Sequence, residues 1–110
     1  MRNQKGYQTI TASQADALRR SGEAVILVDV REPEERRAGF IPGSLSIPAG
    51  QLERLAPRML PNRNAKILVY CQTGSRSWLA AGRLCEMGYT RVYDMGGYLS
   101  WKLSACRRRW

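Results

Sequence analysis

Residues 66–77 read KILVYCQTGSRS. Lys66–Tyr70 is a continuous, mostly apolar run, the pattern of a strand buried on both faces of a sheet. Cys71 follows at once. Gln72, Thr73, Gly74, Ser75 and Arg76 are polar, glycine or cationic, and Ser77 closes the stretch. From Ser77 to Met87 the small residues Ala80, Ala81 and Gly82 fit a helix, with Gly88 as its C-cap. A thiol is therefore expected just past a central strand, on a polar loop that enters a helix. Parallel α/β sheets bind ligands beyond the carboxyl ends of their strands.

The alternation continues in both directions. Tyr7–Ile10 predicts a short strand, and Thr11 with Gln14 a capping box that opens a helix through about Arg20, ended by Gly22. Ala24–Val30 (AVILVDV) is a second apolar strand. Pro33 suits the first turn of a short helix closed by Gly39. A turn in PGSLSIP precedes a strand at Leu45–Ile47. Gln51–Leu60 has helical spacing at Leu52, Leu55 and Met59, but Pro57 predicts two short pieces or a late start. Thr90–Tyr93 is the last strand, and Gly96–Gly97 is expected to turn into a helix through about Ala105. The pattern predicts the α/β class: a central, mostly parallel five-stranded sheet with helices on both faces.

Length and composition bound the function. The chain of 110 residues suits one small domain, with a core over about residues 7–103 and a basic tail at 104–110. Eighteen Lys and Arg against nine Asp and Glu give a net charge of +9. That excess permits anionic substrates, acidic partners, nucleic acid or anionic membrane, and part of it sits locally in Arg107, Arg108 and Arg109. There are three cysteines, Cys71, Cys85 and Cys106, and no histidine. Their spacing matches no zinc pattern, so neither a metal nor a cofactor is implied. No signal-peptide core and no run of about 18 apolar residues is present, so a membrane span is not expected. Free thiols in a reducing cytoplasm are the expectation.

The loop suggests its own chemistry. The attacking form of cysteine is the thiolate. Three features here favour it: the helix beginning at Ser77, the amides of Gln72–Ser75 curled into a nest, and the charge of Arg76. Gly74 supplies the backbone freedom for the curl. With no histidine in the chain, a Cys-His arrangement is excluded. What remains is attack by a preformed thiolate on electrophilic sulfur, phosphorus or arsenic.

CQTGSRS resembles the active-site loop of the rhodanese (sulfurtransferase) family. Three further blocks resemble that family in the expected order: DVREPEE at 29–35, FIPGSLSIP at 40–48 and GYTRVYDMGGYLSWK at 88–102. The resemblance covers about residues 7–103. It implies a rhodanese-like domain in which Cys71 takes the outer sulfur of thiosulfate or a similar small anionic donor as a persulfide. Cyanide, a small thiol or a protein thiol then accepts that sulfur. It also implies that Gln72, Thr73, Gly74, Ser75, Arg76 and Ser77 stabilise the persulfide, with Arg76 holding an anionic donor. By the same resemblance Asp29 supports the loop and Arg31 lies near the substrate mouth. Phe40 departs from the pattern, because the family usually has His there.

Alternative readings are testable. Related phosphatases and arsenate reductases use a loop one residue longer, Cys-x5-Arg, whereas Cys71 to Arg76 is Cys-x4-Arg, sized for sulfur. A persulfide carrier or regulatory module serving one protein partner is a second reading. Nucleic-acid binding has only net charge and the YLSWK and RRRW stretches in its favour, so no nucleic-acid partner is expected. Cys85 reads as a small buried hydrophobe and Cys106 as an incidental tail residue rather than a resolving thiol. Glu32, Glu34 and Glu35 suit the N-terminal dipole of a short helix. Trp78 suits either the pocket mouth or packing, and Trp101 suits packing of the last helix on the sheet.

Overall fold

A computed structural model describes residues 6–107, the side chains of 106 and 107 apart. In chain order the elements are β1 (Gln8–Thr9), α1 (Ala12–Arg20), β2 (Val25–Asp29), α2 (Pro33–Arg36), β3 (Leu45–Ser46), α3 (Leu52–Met59), β4 (Lys66–Cys71), α4 (Ser77–Glu86), β5 (Arg91–Gly97) and α5 (Tyr98–Arg107). A 3-10 turn at Ala49–Gln51 leads into α3. The expected capping box is present: Gln14 N–H donates to Thr11 Oγ1 at 3.0 Å, and Thr11 N–H donates to Gln14 Oε1 at 2.8 Å.

The five strands form one sheet in the order β1-β5-β4-β2-β3, and every neighbouring pair is parallel. β4 lies at its centre and divides the core by strand alternation. Ile67, Val69 and Cys71 face a cluster with Leu52 and Ala56 of α3 and Ala80, Ala81 and Leu84 of α4. Leu68 and Tyr70 face a second cluster with Ala15 of α1 and Tyr98 of α5. Every residue of β4 after Lys66 is buried, which is why that run carries no polar alternation. Each fully buried Leu, Ile or Val side chain contributes about 1.5–3 kcal/mol relative to exposure.

Two expectations are corrected. Pro57 does not break its helix: α3 runs unbroken from Leu52 to Met59. The ring removes one backbone donor. Burial of Leu52, Ala56 and Leu60 and a 2.7 Å bond from Leu60 N–H to the Ala56 carbonyl hold the last turn. Nor do Gly96 and Gly97 form a turn after a short strand. They are the last two residues of β5, pairing with Tyr70 and Cys71, and α5 starts immediately at Tyr98. The register jumps from Val69↔Asp94 to Tyr70↔Gly96, so Met95 is an extra residue in β5, and Gly96 follows it at φ +84°. This bulge, with a glycine in a conformation side chains disfavour, carries the strand past the point where the composition reads as a turn.

Candidate active site

Cys71 is the last residue of β4, and residues 72–76 connect it to α4. The connection folds back over the sulfur. Gly74 N–H points at Cys71 Sγ from 3.0 Å and Arg76 N–H from 3.3 Å. Gly74 has φ +98°, which lets the chain reverse so that both donors face inward. The sulfur is buried, while Thr73 and Ser75 are exposed on the outside of the loop. Ser77, the first residue of α4, is fully buried and donates from Oγ to Asp94 Oδ1 at 2.7 Å. Asp94 Oδ1 also accepts from Gly96 N–H at 2.9 Å. One carboxylate thus ties the end of the loop to the bulge in β5.

The other end of the loop is held by a buried ion pair. Asp29, at the end of β2, is fully buried, and Arg31 is 1% exposed. Asp29 Oδ1 accepts from Arg31 N–H at 2.9 Å and from Nε at 3.0 Å, while Oδ2 accepts from Arg31 NH2 at 2.8 Å and Arg36 NH1 at 3.0 Å. Arg31 reaches on to Gln72 Oε1 at 2.8 Å through NH1 and to the Gly39 carbonyl at 2.8 Å through NH2. Burial pushes the Asp29 carboxyl up, but the hydrogen bonds and charge of Arg31 outweigh it and leave the pKa below its ordinary value of 3.8. Burial likewise works against the Arg31 charge, and Asp29 more than restores it.

Asp29 thus reaches the loop through Arg31, which bonds both its carboxylate and Gln72. Arg31 is buried, and its NH1 donates to Gln72 Oε1 at the start of the loop. Phe40 is 44% exposed and lies under the Arg36 guanidinium at 4.2 Å from its centroid.

Arg76 is half-exposed and makes a two-pronged bond to Glu35, NH1 to Oε1 at 2.8 Å and NH2 to Oε2 at 2.8 Å. Glu35 Oε1 also accepts from Glu32 N–H at 2.9 Å, the capping box of α2. The hydrogen bonds from Arg76 hold the Glu35 carboxyl down at about 2, against an opposing push from burial. Glu35 thus serves both the helix start, as expected, and the loop. Sequence reasoning assigned no site role to Glu35, Asp94 or Gly97. A Cβ on Gly97 would lie 2.6 Å from the Gln72 carbonyl oxygen, so the loop rests directly on this strand. Only the tight glycine pair hinted at such an approach.

Beside the loop, a groove of about 850 Å³ runs along α4, lined by Tyr7, Leu52, Arg76, Trp78, Leu79 and Arg83 among others. Trp78 is half-exposed there, and the groove meets the loop at Arg76 without reaching Cys71. Cys85 is half-buried near Gly6, in keeping with a small hydrophobe. Trp101 stacks on Tyr98 at 5.9 Å and donates from Nε1 to Asp16 at 3.2 Å, joining α5 to α1. The Cys106 side chain and residues 108–110 lie outside the described residues. Among the described residues, no group of three or more Cys, Asp or Glu side chains could hold a metal ion. No described helix is long and apolar enough to cross a membrane.

These features define a class: a parallel α/β sheet carrying a cysteine loop of Cys-x4-Arg form at the carboxyl end of its central strand. The family model for the rhodanese-like domain matches residues 11–104, and the chain belongs to that family. A "Sulfurtransferase" of Allochromatium vinosum is 35% identical over 72% of this chain and 73% of its own length. The "Thiosulfate sulfurtransferase PspE" of Escherichia coli is 36% identical over 64% of this chain and 67% of its own. A solved structure from Rhodopseudomonas palustris, described as a protein of unknown function and possible tyrosine phosphatase, is similar with TM-score 0.81 and 36% identity. It is matched over 90% of this chain and 82% of that one.

Proposed function

We propose that the protein is a sulfurtransferase that moves sulfane sulfur through a persulfide on Cys71. The observation that carries this reading is the sulfur itself, at the end of the central strand and faced by the N–H groups of Gly74 and Arg76 at 3.0 and 3.3 Å. In the first half-reaction the Cys71 thiolate attacks the outer sulfur of thiosulfate or a similar donor. The donor's S–S bond breaks, sulfite leaves with the electron pair, and the transferred sulfur remains bonded to Sγ. In the second, an acceptor such as cyanide or a thiol attacks that outer sulfur, and Cys71 leaves as thiolate. Neither half requires a base to remove a proton from substrate, which suits a chain without histidine.

In this reading the loop of Gln72, Thr73, Gly74, Ser75, Arg76 and Ser77 cradles the charged sulfur with backbone dipoles already in place, the cheapest form of electrostatic stabilisation. Asp29 and Arg31 act as positioning residues through Gln72. The rhodanese-like unit spans about residues 7–103. A reduced Cys71 suits a reducing compartment such as the cytoplasm. The test is thiocyanate formation from thiosulfate and cyanide, expected for the wild type and absent in Cys71→Ser. Absence from both overturns catalysis of this reaction.

A persulfide carrier serving a protein acceptor is the second reading, supported by the groove that begins at Arg76. Stoichiometric sulfur loading with little cyanide turnover would favour it. The phosphatase description of one structural neighbour is met by loop length, because four residues between Cys71 and Arg76 leave a narrower nest than five. Hydrolysis of an aryl phosphate, lost in Cys71→Ser, would reverse that judgement.

A further inference from the structure

Three arginines belong to the cysteine loop or to the Asp29 network that braces it, and all three are engaged by the protein. Arg31 is buried against Asp29, Gln72 and Gly39. Arg36 is bound to Asp29 and Ser44 and covers Phe40. Arg76 is the only cationic side chain in residues 71–77, and both of its terminal nitrogens are fixed on the Glu35 carboxylate at 2.8 Å. Glu35 is itself pinned by the N–H of Glu32. Its carboxyl is held at about 2, so the pair carries no net charge across the neutral range. The net +9 of the chain draws anions from a distance, but charge met at contact decides among donors.

Resting on the sulfurtransferase reading above, we propose that Glu35 is a specificity-determining residue. By neutralising Arg76 it disfavours dianionic donors such as thiosulfate and turns the loop toward persulfides of thiols, R–S–SH. In that reaction the Cys71 thiolate attacks the outer sulfur, the S–S bond breaks, and the thiolate R–S⁻ leaves with the electron pair. The proton stays on the transferred sulfur, and no external oxidant or reductant is consumed. The loop amides that face Sγ serve either donor, whereas an unpaired guanidinium would add a charge contact that rewards thiosulfate most.

The experiment measures kcat/KM for sulfur loading of Cys71 from thiosulfate and from β-mercaptoethanol persulfide. It compares wild type, Glu35→Gln, Glu35→Asp and both variants in an Arg76→Met background. Gln at this position keeps the capping box. Glu35→Gln is expected to raise the thiosulfate value about five- to tenfold, the scale of one added contact between unit charges in a wet site, while changing the persulfide value about twofold or less. Glu35→Asp, too short for the two-pronged bond, should move the ratio in the same direction by less, and it stands in if Glu35→Gln does not fold. Both gains should vanish with Arg76→Met. An unchanged donor ratio, or a gain that survives Arg76→Met, overturns the proposal while leaving the sulfurtransferase reading intact. Failure of the wild type to load from either donor removes both.

Discussion

Gly97→Ala tests whether loop position governs chemistry. The added Cβ would sit 2.6 Å from the Gln72 carbonyl oxygen and 2.9 Å from Thr73 Cα, where ordinary contact begins near 3.4 Å. The loop or β5 must therefore yield by about 0.8 Å. Neither is loose: Gly97 pairs with Cys71 in the sheet, and Leu99 N–H meets the same Gln72 carbonyl at 3.4 Å. Overpacking of this kind costs about 1–3 kcal/mol. For a domain of this size that lowers Tm by roughly 4–20 °C.

The larger effect should be on rate. A shift approaching 1 Å misaligns the Gly74 and Arg76 N–H groups from Sγ, and misplacement on that scale can cost about 100-fold. The assay is the rate of sulfur gain on Cys71 at saturating thiosulfate, followed by intact mass well below both midpoints. Leu60→Ala is the control. Leu60 is buried beyond the end of α3, and its carbonyl accepts from the hydroxyl of Tyr89, two residues before the start of β5. That change should cost about 2–5 kcal/mol without slowing the loop. Loading of Gly97→Ala at the wild-type rate, or equal slowing in Leu60→Ala, would refute the reasoning.

Arg31→Met leaves the Asp29 carboxylate buried with Arg36 as its remaining cation partner among the described residues and should cost about 3–5 kcal/mol in urea unfolding; Asp29→Leu with Arg31→Met should cost less than Arg31→Met alone. Ser77→Ala removes the 2.7 Å bond to Asp94 and should lower stability by about 1–3 kcal/mol, with slower sulfur loading as the loop end loosens. The stability difference between wild type and Glu35→Gln should depend on pH. Glu35 is depressed from 4.5 to about 2, so its contribution is full above the unfolded value and disappears as pH falls through the folded one. Urea midpoints should thus differ by a constant amount above pH 4.5 and converge between 4.5 and 2.

The frame of the fold was legible because local chemistry and tertiary structure agree in it. AVILVDV and KILVY are apolar on both faces because β2 and β4 are covered on both faces. Thr11 and Gln14 announce α1 by satisfying orphan donors within four residues. The placement of Cys71 at the end of the central strand was legible for the same reason: strand, small loop and helix are contiguous in the chain.

The misreadings arise where distant contacts decide. Gly96–Gly97 has the composition of a turn, yet pairing with Tyr70 and Cys71 keeps both glycines in β5. Pro57 weakens a helix that the burial of Leu52, Ala56 and Leu60 then retains. The partner of Arg76 lies 41 positions away, as does the Gln72 partner of Arg31, and no local pattern encodes either pairing. Glu35 looked like an ordinary first-turn carboxylate because it is one, and its second task is visible only in three dimensions.

The central claim is that Cys71 carries sulfane sulfur. It is tested most directly by the intact mass of reduced protein before and after thiosulfate or β-mercaptoethanol persulfide, with the modified peptide mapped. The account predicts a gain of one sulfur atom on the peptide containing Cys71, removed by cyanide and absent in Cys71→Ala. No gain from either donor, or an equal gain in Cys71→Ala, would contradict it.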